Sequence, residues 1–179
     1  LDIYYCNFSV FQSMPDSWAI DQVFPVVPLQ RLGERPTRRG TLADVTCDSD
    51  GRVDRFVDVR DVKRALELHP PGDAPYFLGI FLLGAYQEIL GDLHNLFGDT
   101  HAIHVSVADT ARGYRIEAMV EGETVADVLE YVQYDKNALY ARLRDAVERA
   151  YDAGTLPVTE GKRLLQTYRR GLTDYTYLG

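Results

Sequence analysis

Three neighbouring stretches decide the fold: Ala102-Ile-His-Val-Ser-Val107 and Tyr114-Arg-Ile-Glu-Ala-Met119 before Gly122, and Thr124-Val-Ala-Asp-Val-Leu-Glu-Tyr-Val132 after it. The first two are rich in strand-forming residues and are joined by Asp109-Thr-Ala-Arg-Gly113. Asp and Gly at the ends of so short a link are turn formers, so these stretches predict a hairpin. In the third, Val125, Val128, Leu129 and Val132 recur at spacings of three and four, the signature of one helical face. The chain therefore passes from strands to helices near Gly122.

Working outward, short runs of Val, Ile, Tyr, Phe and Thr punctuated by Pro, Gly and Asp predict further strands upstream. These fall at Tyr4 to Val10, Ala19 to Val27, Arg39 to Thr46, Arg52 to Val59 and Tyr76 to Leu83. Strands at this spacing point to a sandwich or barrel with few parallel crossovers. Downstream, Asp135 stands where an N-cap is expected, Leu139, Leu143, Val147 and Tyr151 form a stripe, and Gly154 marks the helix end. A last helix is expected from about Pro157, suited to a first turn, to Arg170, with Gly171 as its stop. The expected division is a β part over residues 1–122 and a helical tail over 123–179, packed on it.

The chain has 179 residues, 46% of them hydrophobic and 26% charged, as in ordinary globular proteins. Its longest apolar run, Tyr76-Phe-Leu-Gly-Ile-Phe-Leu-Leu-Gly84, is far short of the ~20 residues of a membrane helix and reads as a buried strand. With 19 Lys plus Arg against 27 Asp plus Glu, the net charge is −8, which disfavours a phosphate-backbone binder. The two cysteines, Cys6 and Cys47, are too few for a disulfide scaffold or a four-cysteine zinc site, which suits a reducing cytoplasm. A start at Leu1-Asp2-Ile3-Tyr4, without a basic n-region or cleavage pattern, gives the expectation of a piece of a longer polypeptide.

Candidate chemistry begins at Thr46-Cys-Asp-Ser-Asp-Gly51, which sets a thiol beside carboxylates after a strand, where functional groups gather. Cys47 could donate a proton or act as nucleophile, and Asp48 or Asp50 could anchor a cationic group; a polar turn would use the same residues. His94, His101 and His104 lie near Glu88, Asp92 and Asp99 but match no standard zinc spacing, so structural histidines are expected. Tyr86 closes the apolar run, and core packing alone would account for it. Twelve tyrosines suit an oligomer interface. Arg38 and Arg39 read as a solvated strand start.

Three stretches stand out together: Tyr4-Tyr-Cys-Asn-Phe-Ser-Val-Phe-Gln-Ser-Met-Pro-Asp-Ser-Trp-Ala-Ile-Asp-Gln22, the Thr46 to Gly51 motif, and Gly84-Ala-Tyr-Gln-Glu-Ile-Leu-Gly-Asp-Leu-His-Asn-Leu-Phe-Gly-Asp99. They resemble one family, the biosynthetic pyridoxal-phosphate-dependent arginine decarboxylases, relatives of the ornithine and diaminopimelate decarboxylases. Thr124 to Tyr134 and Gly171 to Leu178 are similar to that family's C-terminal helical extension.

The resemblance implies a C-terminal β-sandwich or Greek-key barrel domain of a fold-type III decarboxylase, then a three-helix extension. It assigns the cofactor-holding lysine and phosphate site to an N-terminal α/β barrel not contained in this sequence, so the polypeptide alone is expected to be inactive. By motif position it makes Cys47 the active-site cysteine that protonates the substrate carbon in a neighbouring subunit's site. Asp48 becomes the substrate-binding aspartate, with Asp50 a possible second carboxylate, and Tyr86 the hydroxyl on the cofactor phosphate. The implied reaction converts L-arginine to agmatine and carbon dioxide in polyamine (spermidine) biosynthesis, in a cytoplasmic homodimer or higher homo-oligomer. Magnesium is implied too, with no ligand set visible. A non-catalytic decarboxylase-binding homologue, or a decarboxylase of ornithine or diaminopimelate, are the alternatives.

Overall fold

The computed structural model describes residues 1–46 and 51–178. Among them the chain is a mixed α/β structure of several small sheets and six helices. It forms two compact units, Leu1–Asn95 and Leu96–Gly179, so the Ala102 to Val120 hairpin groups with the helices that follow it.

In the first unit, β1 (Asp2–Tyr5) lies parallel to β3 (Arg38–Ala43), with Asp2 opposite Gly40 and Tyr5 opposite Ala43. Antiparallel to β3 run β4 (Arg52–Val53) and β7 (Leu66–Leu68). Two smaller ladders pair β2 (Val26–Pro28) with β8 (Leu78–Ile80), and β5 (Phe56–Val57) with β6 (Val62–Lys63). The core collects Val10, Met14, Phe24, Val26, Leu42, Val53, Phe56, Leu66 and Leu68. Gly40 lets the Tyr4 ring lie flat on β3, since a Cβ there would stand 2.7 Å from it. From that position the Tyr4 hydroxyl donates to the His69 carbonyl at 2.9 Å.

Several expected strands are shorter or replaced. The strand foreseen from Tyr4 to Val10 ends at Tyr5, because Ser9 caps a short helix α1 (Val10–Ser13), its hydroxyl accepting from the Gln12 N–H at 3.3 Å. Pro15 then opens α2 (Pro15–Ala19), its missing N–H costing nothing in a first turn, which removes the start of the strand expected from Ala19. The run Arg52 to Val59 breaks between β4 and β5, where Arg55 turns to an ion pair with Asp21 at 2.7 Å. Of the Tyr76 to Leu83 run only β8 is strand; Leu82, at φ +63°, ends the extended geometry, and Phe77 and Leu82 are exposed.

In the second unit, β9 (Ala102–Val107) and β10 (Tyr114–Val120) pair antiparallel with an irregularity between Ile116 and Ala118. Gly113 takes φ +76° in the turn, a conformation glycine adopts without steric penalty. Helix α4 (Val125–Tyr131) begins with a capping box: the Thr124 hydroxyl accepts from the Asp127 N–H, and the Asp127 carboxylate accepts from the Thr124 N–H at 2.9 Å. The Thr124 hydroxyl also donates to the Asp127 carboxylate at 2.6 Å, and that bond first, then the one from the Thr124 N–H, holds the Asp127 carboxyl below its ordinary pKa.

Helix α5 (Lys136–Asp152) starts on Asp135, and Gly154 at φ +68° follows its end, as the sequence indicates. Helix α6 (Val158–Thr173) packs on α5 through Gly161, whose absent Cβ would meet Val147 at 2.8 Å. Arg169 lies 4.6 Å over the Tyr140 ring, a cation–π contact between the same helices. Gly171 does not stop α6: the helix continues to Thr173 and ends at extended Asp174, whose carbonyl accepts from the Val125 N–H at 3.0 Å. The segment beyond returns to residues 97–101. There Tyr175 stacks on His101 at 4.2 Å, and the Tyr177 hydroxyl donates to the Gly98 carbonyl at 2.9 Å.

Candidate active site

Strand β3 delivers the chain to Asp44, which holds the residues flanking the Cys47-to-Asp50 segment. The Asp44 carboxylate is 3% exposed. One oxygen accepts from the Thr46 N–H at 3.0 Å and the Thr46 hydroxyl at 2.5 Å; the other accepts from the Val10 N–H at 2.8 Å. The Asp44 N–H donates to the Gly51 carbonyl at 2.8 Å, and a Cβ on Gly51 would stand 1.8 Å from Asp44 Oδ1. Thr46 is therefore tied to the buried Asp44 carboxylate, and Gly51 to the Asp44 main chain. Cys47, Asp48 and Asp50 lie outside the described residues.

Tyr86 sits in the first turn of α3 (Ala85–Leu90), a helix at a place where the sequence predicts only the end of a strand. Its side chain is 76% exposed, which removes the core-packing explanation. No hydrogen bond of the Tyr86 hydroxyl occurs among the described residues. The neighbouring Gln87 is 6% exposed and faces α2. Its amide nitrogen donates to the Asp16 carboxylate at 2.6 Å, and its amide oxygen accepts from the Asp16 N–H at 3.2 Å. The Asp92 N–H donates to the Phe11 carbonyl at 3.0 Å. The α1–α2 segment thus touches both halves of the site: Val10 takes the Asp44 carboxylate, and Phe11 and Asp16 hold the helix that carries Tyr86.

Asp44, Asp16 and Gln87 were not singled out in the sequence. An aspartate two residues before a threonine is an Asx-turn signal that could have marked Asp44; nothing local marks the Asp16–Gln87 pair. The other cysteine, Cys6, is packed against the core and its thiol donates to the Tyr4 carbonyl at 3.5 Å. Burial pushes its pKa up to about 11, which suppresses thiolate chemistry there.

The histidines have structural neighbours. His101 precedes β9, and its Nδ1 accepts from the Gly122 N–H at 2.8 Å; the His94 ring packs on Phe11 at 4.4 Å. His69, overlooked in the sequence, is 2% exposed, with Nδ1 2.8 Å from the Tyr76 hydroxyl and Nε2 3.1 Å from the Glu34 carbonyl oxygen. Among the described residues no group of three or more His, Cys, Asp or Glu is arranged to hold a metal ion. No helix among them is long and apolar enough to cross a membrane.

Comparison with known proteins finds similar sequences and a similar solved structure. Residues 125–178 match the family described as the arginine decarboxylase C-terminal helical extension. The chain is 57% identical over 178 residues to a biosynthetic arginine decarboxylase of Nostoc sp., covering 98% of this chain and 26% of that protein. A biosynthetic arginine decarboxylase of Phocaeicola vulgatus is 54% identical over 178 residues, covering 99% of the chain and 28% of the relative. The crystal structure of the biosynthetic arginine decarboxylase SpeA from Campylobacter jejuni superposes with a TM-score of 0.85 at 37% identity, over 99% of this chain and 29% of that one. The chain is thus similar over nearly its whole length to biosynthetic arginine decarboxylases, and spans about a quarter of the length of the curated relatives it matches.

Proposed function

We propose that this chain is the C-terminal part of an enzyme that decarboxylates L-arginine to agmatine, supplying polyamine biosynthesis. The observation that carries this is the 57% identity over 98% of the chain to a biosynthetic arginine decarboxylase. The joint presence of Cys47, Asp48 and Tyr86 at the expected motif positions favours an enzyme over a binding-only homologue.

In this reading residues 1–122 are the β domain, their small sheets being portions of a sandwich or Greek-key barrel, and residues 123–179 the three-helix extension. The pyridoxal phosphate is held mainly by an α/β barrel in the rest of the protein, and when bound it supplies the electron sink for breaking the carboxylate bond. The exposed Tyr86 hydroxyl fits a phosphate oxygen, to which it would donate. Leu82, Ile89 and Leu90, all within four residues of Tyr86 in sequence, are exposed, and exposed apolar side chains so close along the chain suit a surface covered by protein.

Asp48 binds the guanidinium of arginine, whose planar donors pair with the two carboxylate oxygens; Asp50 adds a second carboxylate nearby. Cys47 gives its proton to the substrate carbon after carbon dioxide leaves. The sites are shared across a cytoplasmic homodimer or higher homo-oligomer, and magnesium is a family-level expectation. In the full-length protein, Cys47→Ala should slow turnover or misdirect protonation while the cofactor absorbance stays intact. Loss of that absorbance would contradict the role given to Cys47.

A further inference from the structure

We infer that the Asp16–Gln87 pair is a positioning device for the Tyr86 hydroxyl, so that two residues remote from the reacting atoms set the protein's grip on its cofactor phosphate. The inference rests on the proposed contact of Tyr86 with that phosphate.

Helix α3 has six residues, too few to be stable or to hold an orientation by its own hydrogen bonds. Its orientation comes from what it touches. Gln87 and Asp16 are 71 residues apart in sequence, and two antiparallel hydrogen bonds close a ring between them. One of those acceptors is a carboxylate, which makes that bond the stronger. Residues adjacent on a helix point about 100° apart, so a buried Gln87 gripping α2 presents Tyr86 outward.

The far end of the helix is pinned too. A Cβ on Gly91 would stand 2.5 Å from the Gln12 carbonyl oxygen, and the Asp92 N–H donates to the Phe11 carbonyl at 3.0 Å. These contacts fix the position of α3 along its axis, and Gln87 fixes its rotation about that axis. The tyrosine hydroxyl stands roughly 8 Å from the helix axis, so a roll of about 10° would move it by roughly 1.4 Å. A hydrogen bond tolerates about a third of that displacement. The Tyr86 hydroxyl makes no hydrogen bond among the described residues, so the Gln87 clamp supplies the restraint it lacks.

The test is made on the full-length enzyme, with pyridoxal phosphate as the probe. Its dissociation constant is read by equilibrium dialysis and cofactor absorbance, and kcat is measured at saturating cofactor. Tyr86→Phe and Asp16→Ala should each raise the dissociation constant about tenfold, and Asp16→Ala should leave kcat within roughly twofold. Asp16→Asn, whose amide oxygen still accepts from Gln87, should bind like the parent. The double variant Tyr86→Phe/Asp16→Ala should be no weaker than Tyr86→Phe alone, because the clamp acts through that hydroxyl. Gln87→Met removes the clamp from the other side and serves where Asp16→Ala does not fold.

If Tyr86→Phe weakens binding and neither clamp variant does, the positioning role is overturned while the Tyr86 contact stands. Additive losses in the double variant would also overturn it. An unchanged affinity in Tyr86→Phe would overturn the phosphate contact itself and the inference with it.

Discussion

Replacing Asp44 by alanine removes the acceptor of three hydrogen bonds, from the Val10 N–H, the Thr46 N–H and the Thr46 hydroxyl. Val10 is fully buried, so water cannot take over its N–H, and an unsatisfied buried donor costs about 1–3 kcal/mol. Thr46 is only half-buried and its donors can rehydrate in part, adding about 1 kcal/mol. The expected loss is about 3 kcal/mol, which at a urea slope of about 2 kcal/mol/M lowers the unfolding midpoint by roughly 1.5 M. Trp18, in edge contact with Phe11 at a centroid distance of 5.3 Å, provides the fluorescence signal. Asp44→Asn should recover less than half of the loss, because its amide NH2 faces donors. Gly51→Ala drives a Cβ into the same carboxylate and should cost a similar amount. Combined with Asp44→Ala it should cost less than the sum, since the clash is then gone. A midpoint shift below about 0.3 M for Asp44→Ala would refute the buried-acceptor argument.

Two further outcomes follow from groups elsewhere. At pH 8 a thiol of pKa about 11 is ionised roughly a hundredfold less than an ordinary cysteine, so iodoacetamide should modify Cys6 about 100-fold more slowly than free cysteine; mass-resolved labelling at equal rates would contradict its burial. In the capping box, Asp127 titrates below its ordinary value of 3.8 in the folded protein. Its contribution is therefore complete above about pH 5 and lost as the pH falls through the lowered folded value. Thr124→Ala should cost about 1 kcal/mol at neutral pH and progressively less in acid. A pH-independent loss in urea titrations would remove the carboxylate from the explanation.

The legible parts of the fold were those encoded locally. The β9–β10 hairpin follows from its strand-forming residues and the Asp109-to-Gly113 turn, and α5 from Asp135 and Gly154. Helices α1 and α2 were missed because four or five residues are too few to show a period. Their signals were single capping residues, Ser9 and Pro15, inside an apolar run that reads equally as strand. Gly171 misled because glycine at a helix end is only a preference, and nothing within 4 Å would oppose a Cβ there. The candidate site at Cys47, Asp48 and Tyr86 rests on the resemblance alone. Its supports were not: Asp44 meets Val10 across 34 residues and Gln87 meets Asp16 across 71, and no local pattern encodes such pairings.

The central claim is tested most directly by carbon dioxide release from arginine, ornithine and diaminopimelate with the full-length protein, side by side with its Asp48→Asn variant. Arginine should be strongly preferred, and Asp48→Asn should raise KM for arginine about tenfold or more by weakening the paired contact with the guanidinium. A preference for ornithine or diaminopimelate, or an unchanged KM in the variant, would contradict the account.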